Sequence, residues 1–278
     1  MLGSVLKSLF QYRRLTPADR CQVQAHAAVV LQTVRRKSVE RAIRSVFEQD
    51  LDGPIHLLIG VDTRRGESSI LDRALASCPP KVGVTVFDPG YSTSRRHGGI
   101  HSNHFGGSLR TLLSFAANSR YVAYLDDDDW FAPNHLSSLL RAVAGKDWAF
   151  SQRWFVNPFN HEPMCIDTLE NMGPGAGIYA PSGGFACPGT LLLDKLACAG
   201  ILHLWSEAGR PQGDAEDRVF FRALCEHFKR WAPSGEATAY CVIKPEDGNH
   251  SIREKLIVES GYPLDRLNQS VAHDFGRM

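Results

Sequence analysis

Four consecutive carboxylates, Asp126, Asp127, Asp128 and Asp129, are the strongest chemical signal in the sequence. Adjacent carboxylates repel one another, so they must hold protons in part or attract a counter-ion. The apolar segment Tyr121-Val-Ala-Tyr-Leu125 runs straight into them, and Trp130-Phe-Ala-Pro133 follows. A cluster held by buried structure on both sides reads as a ligand site rather than a solvated acidic turn. Hard oxygen donors at such a place suit magnesium or manganese, with substrate phosphates completing the shell. A second acidic group, Asp214, Glu216 and Asp217, opens a predicted helix, where the helix dipole already favours negative charge. Between Asp88 and Gly107 lies a stretch carrying Arg95, Arg96, His97, His101, Asn103 and His104. It has no regular periodicity and is predicted to be a loop with side chains able to bind a ligand.

The elements that must position these residues are legible from hydrophobic pattern. Ala27–Leu31 is a continuous apolar run of the kind that makes a buried strand. Val39, Ala42, Ile43, Val46 and Phe47 then recur at helical spacing, with Ser38 as the expected N-cap. Asp50-Leu-Asp-Gly-Pro54 stops that helix, and Ile55–Val61 is a second strand ending at Asp62. Strand, helix and strand in this order predict a right-handed parallel crossover. Val82–Phe87 reads as a third strand, Leu109–Ala117 as a helix, and Tyr121–Leu125 as the strand that delivers the aspartates. Asn134 starts a further helix. In the second half, Trp148–Val156 and Thr238–Ile243 are predicted strands, Asp214–Phe228 a helix, and 157–189 a long loop rich in Pro and Gly. In open sheets of this class, ligands sit at the carboxyl ends of the strands, where Asp62 and the aspartate cluster lie.

The chain has 278 residues, 43% of them hydrophobic and 22% charged, enough for a sizeable core. A formal net charge of +1 argues against a nucleic-acid-coating protein. Seven cysteines, an odd number with no Cys-x-x-Cys pair, argue against a disulfide framework or structural zinc and predict reduced thiols in a cytoplasmic protein. No apolar run approaches the roughly 18 residues needed to span a bilayer. Leu2, Val5, Leu6, Leu9 and Phe10 fall at helical spacing ahead of Arg13 and Arg14. They predict an N-terminal helical extension over 1–24. It either docks on its own domain or touches the inner face of a membrane through residues 1–14.

The segment Tyr121-Val-Ala-Tyr-Leu-Asp-Asp-Asp-Asp-Trp130, with its strand–helix–strand opening upstream, resembles the Asp-x-Asp region of glycosyltransferase family 2. The likeness is good over residues 25–145 and loose beyond. It implies an α/β fold of GT-A type, with a Rossmann-like, mostly parallel sheet flanked by helices and an irregular C-terminal half. Residues 25–278 would form one domain, with 25–145 binding the nucleotide-sugar and 146–278 the acceptor. By the same resemblance, Asp62 hydrogen-bonds the base, Thr33 and Arg35 line base and ribose, and Asp126 faces the ribose. One of Asp127 and Asp129 contacts the donor sugar, and Asp128 binds Mn2+ or Mg2+ bridging the two phosphates. His250 stands where some GT-A enzymes add a C-terminal metal ligand. Asn103 is the nearest match to the family's Ala-Arg-Asn element, from which this loop otherwise departs. Glu216–Asp217 is similar to the family's Glu-Asp element, whose carboxylate takes the acceptor's proton. Asp217 is the first choice, Glu216 the second and Asp214 the third. Pro181–Gly189 would shape the acceptor side.

The expected activity is inverting, metal-dependent transfer from a nucleotide-diphosphate sugar, a UDP-sugar by preference, to a glycan, lipid-linked or small-molecule acceptor. A nucleotidyltransferase would prefer a Gly-rich phosphate loop after the first strand, where this chain has Gln32-Thr-Val-Arg-Arg-Lys37. A non-catalytic nucleotide- or sugar-binding protein of the same fold is the third reading.

Overall fold

The computed structural model describes residues 11–14, 22–63, 66–67, 69–211, 215–244 and 248–267. Strands are β1 (Gln11–Arg14), β2 (Ala27–Thr33), β3 (Ile55–Val61), β4 (Val82–Asp88), β5 (Tyr121–Asp126), β6 (Trp130–Phe131), β7 (Trp148–Val156), β8 (Pro163–Ile166), β9 (Gly173–Pro174), β10 (Gly184–Phe185), β11 (Leu191–Asp194) and β12 (Trp231–Val242). Helices are α1 (Val39–Phe47), α2 (Ile70–Leu75), α3 (Gly107–Ala116), α4 (His135–Ala142), α5 (Glu216–His227), α6 (His250–Glu259) and α7 (Leu264–Leu267). The main sheet runs β1-β4-β3-β2-β5-β11-β7-β12-β6, with β8 on β7. Its centre, β4-β3-β2-β5, is parallel as the opening pattern requires. β11 joins the two halves by running antiparallel to both β5 and β7.

Strand alternation divides the interior into two cores. Ala27, Val29 and Leu31 of β2 face one side with Val39, Ile43 and Val46 of α1, Ile70 of α2 and Leu136 of α4. Ala28 and Val30 face the other, with Leu113 of α3, Trp205, and Phe220 and Leu224 of α5. Burial on both faces explains why these strands read as continuous apolar runs. Trp205 lies on Phe220 at 3.8 Å between ring centroids, and Tyr124 of β5 packs against Trp205 at 4.8 Å. Residues before and after the aspartates are thereby anchored in large buried side chains.

Several elements differ from expectation. Ser38 makes no side-chain cap and itself has helical backbone angles. The first turn of α1 is instead satisfied by carbonyls, with Val39 N donating to Arg36 O and Arg41 N to Ser38 O. Of the helical extension expected over 1–24, the amphipathic stretch 1–10 lies outside the described residues. Gln11–Arg14 form a strand that pairs antiparallel with β4 and covers its edge. β12 begins at Trp231, well before the expected start. Its Pro233 and Gly235, which read as breakers, are absorbed where the pairing with β7 shifts register. The loop expected over 157–189 contains β8, β9 and β10, and Leu191–Asp194 forms a strand where none was expected. A run of three leucines between Thr190 and Asp194 is too short to show a period.

The turn after the aspartates is tied to α1 by buried polar groups. Gln49 donates to Ser45 O at 2.9 Å and Ala132 O at 2.8 Å and accepts from Leu136 N at 2.8 Å. Ser45 Oγ accepts from Phe131 N at 3.1 Å. Gln49 is only 1% exposed, so removing its amide takes a buried partner from Leu136 N, Ser45 O and Ala132 O, the last of which keeps His135 N. Gln49→Leu is expected to cost about 2–4 kcal/mol in urea unfolding. A loss below about 1 kcal/mol would show that this tie does not hold the turn.

Candidate active site

Parallel pairing puts Gln32 beside Asp126, so the ends of β2 and β5 lie together. From there the four carboxylates part in the turn that follows β5. Asp127 and Asp129 turn inward. Asp127 Oδ2 accepts from Thr33 Oγ1 at 2.7 Å and Val34 N at 3.2 Å, and Asp129 Oδ1 accepts from Val242 N at 3.0 Å. Burial raises the Asp127 carboxyl, although the Arg36 charge opposes it. Burial, then the charges of Asp128 and Asp126, push Asp129 well above the usual carboxylate range. Asp126 and Asp128 turn outward. Asp126 Oδ1 takes a hydrogen bond from Arg110 Nη2 at 2.7 Å and keeps a side chain 37% exposed. Asp128 Oδ2 is 2.8 Å from both Arg36 Nη1 and Lys244 Nζ. Burial alone would raise Asp128, but Lys244 and Arg36 outweigh it and hold the carboxyl below its ordinary value. Arg41 lies 3.9 Å over the Trp130 ring and donates to the Asp128 carbonyl at 2.8 Å.

The other expected donor contacts have mixed surroundings. Thr33 is committed to Asp127 and also accepts from Arg35 N at 2.8 Å. Arg35 has a positive φ of 64° and pairs with Asp88 at 2.9 Å. Asp62 is buried, and its oxygens accept from Ser92 Oγ, Thr93 N and Thr93 Oγ1 at 2.7–3.0 Å. It therefore pins the loop after β4, beneath a cleft of about 820 Å3 lined by Thr63, Tyr91, Thr93, His97 and His101 among others. Asn103 is 1% exposed and serves the backbone, accepting from Phe105 N and Gly107 N. It orders the entry to α3, where a Cβ on Gly107 would meet Trp205 O at 1.9 Å.

Glu216 and Asp217 open α5, within electrostatic reach of Arg110. Burial and then the Asp217 charge raise Glu216 to about 7, with Arg110 opposing. Asp217 is raised as well, by burial, with Arg218 and Arg110 opposing. Asp214 lies outside the described residues. Arg218 stacks on Tyr179 at 3.5 Å and Phe185 at 3.9 Å, tying the start of α5 to the Pro181–Gly189 region. Gly184 in that region needs both its φ of 85° and its lack of Cβ, which would meet Gly173 O at 2.1 Å.

Sequence reasoning passed over Arg110, Arg36, Arg41 and Lys244. Arg110 had a readable signal, since it stands one residue after Leu109 and three before Leu113, on the buried side of α3. It is 3% exposed and lies 4.7 Å over the Trp205 ring. The metal expectation is met only in part. Asp126 and Asp128 present outward carboxylate oxygens, and magnesium-class ions are held by one or two carboxylates plus substrate phosphates. The donor set therefore fits such an ion once phosphates contribute. No group of three or more His, Cys, Asp or Glu that could hold a metal exists among the described residues. His250 does not complete one. Its Nε2 lies 3.3 Å from Glu254 within α6.

This architecture is GT-A-like. The chain is similar in fold to the crystal structure of S. aureus TarS residues 1–349, with a TM-score of 0.58 at 15% identity over 84% of this chain and 64% of that one. The same TarS fragment in complex with UDP-GlcNAc gives 0.55 at 13% identity, over 84% and 66%. The mannosyltransferase PcManGT of Pyrobaculum calidifontis, in complex with GDP-Man and Mn2+, gives 0.53 at 12% identity, over 88% and 64%. The chain spans less than two thirds of the length of each. No family model and no curated protein matches the sequence. Among the described residues, no helix is long and apolar enough to cross a membrane.

The pKa of Glu216 makes a stability prediction. Its folded value of about 7 exceeds the ordinary 4.5, so the native state binds the proton more tightly than the unfolded chain. The carboxyl then costs nothing below pH about 4.5, and its cost grows as pH rises through about 7. Glu216→Gln should therefore gain about 3 kcal/mol relative to wild type on going from acid to above about pH 8. A difference independent of pH in denaturant titrations would refute the shift.

Proposed function

We propose that the chain is an inverting glycosyltransferase that moves a sugar from a nucleoside-diphosphate sugar, UDP-linked by preference, to an acceptor hydroxyl in glycan or polysaccharide assembly. The observation that carries this reading is Arg110. One buried guanidinium holds Asp126, at the strand end where a donor would lie, and acts electrostatically on Glu216 and Asp217. One cation thus acts on both the strand-end carboxylate and the carboxylates that open α5, which this reading assigns to donor and acceptor chemistry. The GT-A-like fold of the nucleotide-sugar-binding neighbours supports the same reading.

In this scheme the donor lies along the carboxyl ends of β2, β3 and β5. Asp62 and the Thr33–Arg35 segment flank the nucleotide, and Asp126 and Asp128 face its ribose and diphosphate. A divalent ion held by Asp128, when bound, neutralises charge on the leaving diphosphate. Asp217, half-buried at the head of α5, takes the proton from the acceptor hydroxyl. The acceptor oxygen forms a bond to the anomeric carbon as the bond to the diphosphate oxygen breaks. The electron pair leaves with the nucleoside diphosphate, and configuration at carbon inverts. Glu216, raised toward neutrality, keeps the pair from carrying two full charges. Residues 25–145 serve the donor and 146–278 the acceptor within one continuous sheet. We place the reaction in the cytoplasm, with acceptor glycan, lipid-linked or small.

The test is a panel of nucleotide-sugars, with release of nucleoside diphosphate as the readout. Asp217→Asn should bind nucleoside diphosphate like wild type and transfer at least about 100-fold more slowly, the usual cost of losing a general base. Wild-type kcat/KM should fall toward acid pH as Asp217, whose carboxyl is raised by burial, takes up its proton and can no longer act as base. Normal transfer by Asp217→Asn would remove the base assignment, and no turnover of any donor would remove the reading itself.

A further inference from the structure

We infer that Lys244 is a built-in competitor for the metal position on Asp128, released when metal and nucleoside diphosphate arrive together. This rests on the transferase reading and adds a device that the reading does not require. Lys244 follows β12, and its Nζ lies 2.8 Å from Asp128 Oδ2, the same oxygen that Arg36 Nη1 contacts at 2.8 Å. Asp128 is thus doubly paired, while Asp129 beside it is buried and accepts from Val242 N of β12.

The two cations are not held equally. Arg36 also reaches Asp127 Oδ1 at 3.6 Å and so bridges two carboxylates at the end of β2. The only ion pair of Lys244 among the described residues is with Asp128. A compact ammonium on a flexible stem can swing away, whereas a guanidinium shared between two carboxylates gives up more by moving. A divalent ion bound about 2.1 Å from Asp128 Oδ2 would lie within about 5 Å of the Lys244 ammonium where it now stands. Like charges at that separation repel, so metal alone binds poorly until Lys244 leaves. A nucleoside diphosphate changes the balance. Its phosphates supply oxygen ligands to the metal and offer the freed ammonium a new anionic partner. Metal and nucleotide then promote each other's binding, as linkage requires.

The experiment titrates Mn2+ alone, followed by calorimetry or by the paramagnetic signal of free ion, into wild type and variants without nucleotide. Lys244→Met should bind Mn2+ about tenfold more tightly than wild type. Lys244→Arg, which keeps the charge, should bind as weakly as wild type. The gain should vanish in the Asp128→Asn background and shrink when UDP is present. Equal affinity of wild type and Lys244→Met, a gain in Lys244→Arg, or a gain that survives Asp128→Asn would each overturn the competition. A variant that binds no Mn2+ under any condition would do the same. These titrations involve no turnover, so a failed donor panel and a failed lysine competition are separate results.

Discussion

Four carboxylates in a row at the end of a buried strand must be neutralised, and much of the site is built to do this. The turn that follows β5, closed by Asp129 N on Asp126 O at 3.2 Å, sends Asp127 and Asp129 inward, where hydroxyl and amide donors of β2 and β12 receive them. It sends Asp126 and Asp128 outward to Arg110, Arg36 and Lys244. Inward groups lose water and have their pKa values raised by burial, while Asp128 is held low by its cations. The cluster is therefore two buried carboxylates that clamp the backbone and two that face cations, not one four-carboxylate centre.

The clamps also fix the site mechanically. Asp127 joins β5 to the chain leaving β2, and Asp129 joins it to β12. Gln49 and Ser45 hold the following turn from the α1 side. These buried bonds are short-range and directional, so the outward oxygens of Asp126 and Asp128 sit on a frame with little freedom. Arg110 extends that frame to the second half of the chain. Its guanidinium lies over Trp205, which stacks on Phe220 of α5, the helix that begins with Glu216 and Asp217. Aromatic packing thus positions the candidate base relative to the donor side.

How much of this was legible can be judged residue by residue. The apolar runs 27–31, 55–61 and 121–125 and the helical spacing of Val39–Phe47 specified the parallel core, because two-sided burial leaves a local record in every residue of a strand. The aspartates were visible as a cluster for the same reason. Asn103 and Thr33 are donor contacts only by the family resemblance; in the structure Asn103 accepts from local backbone, and Thr33 accepts from Arg35 N and donates to Asp127. Polar residues of one type serve caps and ligands alike, and only their neighbours distinguish the two.

By itself, then, the sequence determined the layered α/β arrangement and the strand end that carries the acidic chemistry. Both follow from periodicities of two and 3.6 residues, which are properties of adjacent positions. The tertiary structure alone decided which aspartates face outward to cations, and it brought Arg110 onto Asp126 within electrostatic reach of Glu216 and Asp217. It also put Lys244 on Asp128. Ion pairs join side chains whose separation along the chain bears no relation to distance in space, as with Arg36 and Asp128, 92 residues apart. No local pattern encodes such a pair, because its partners are brought together only when the sheet has closed.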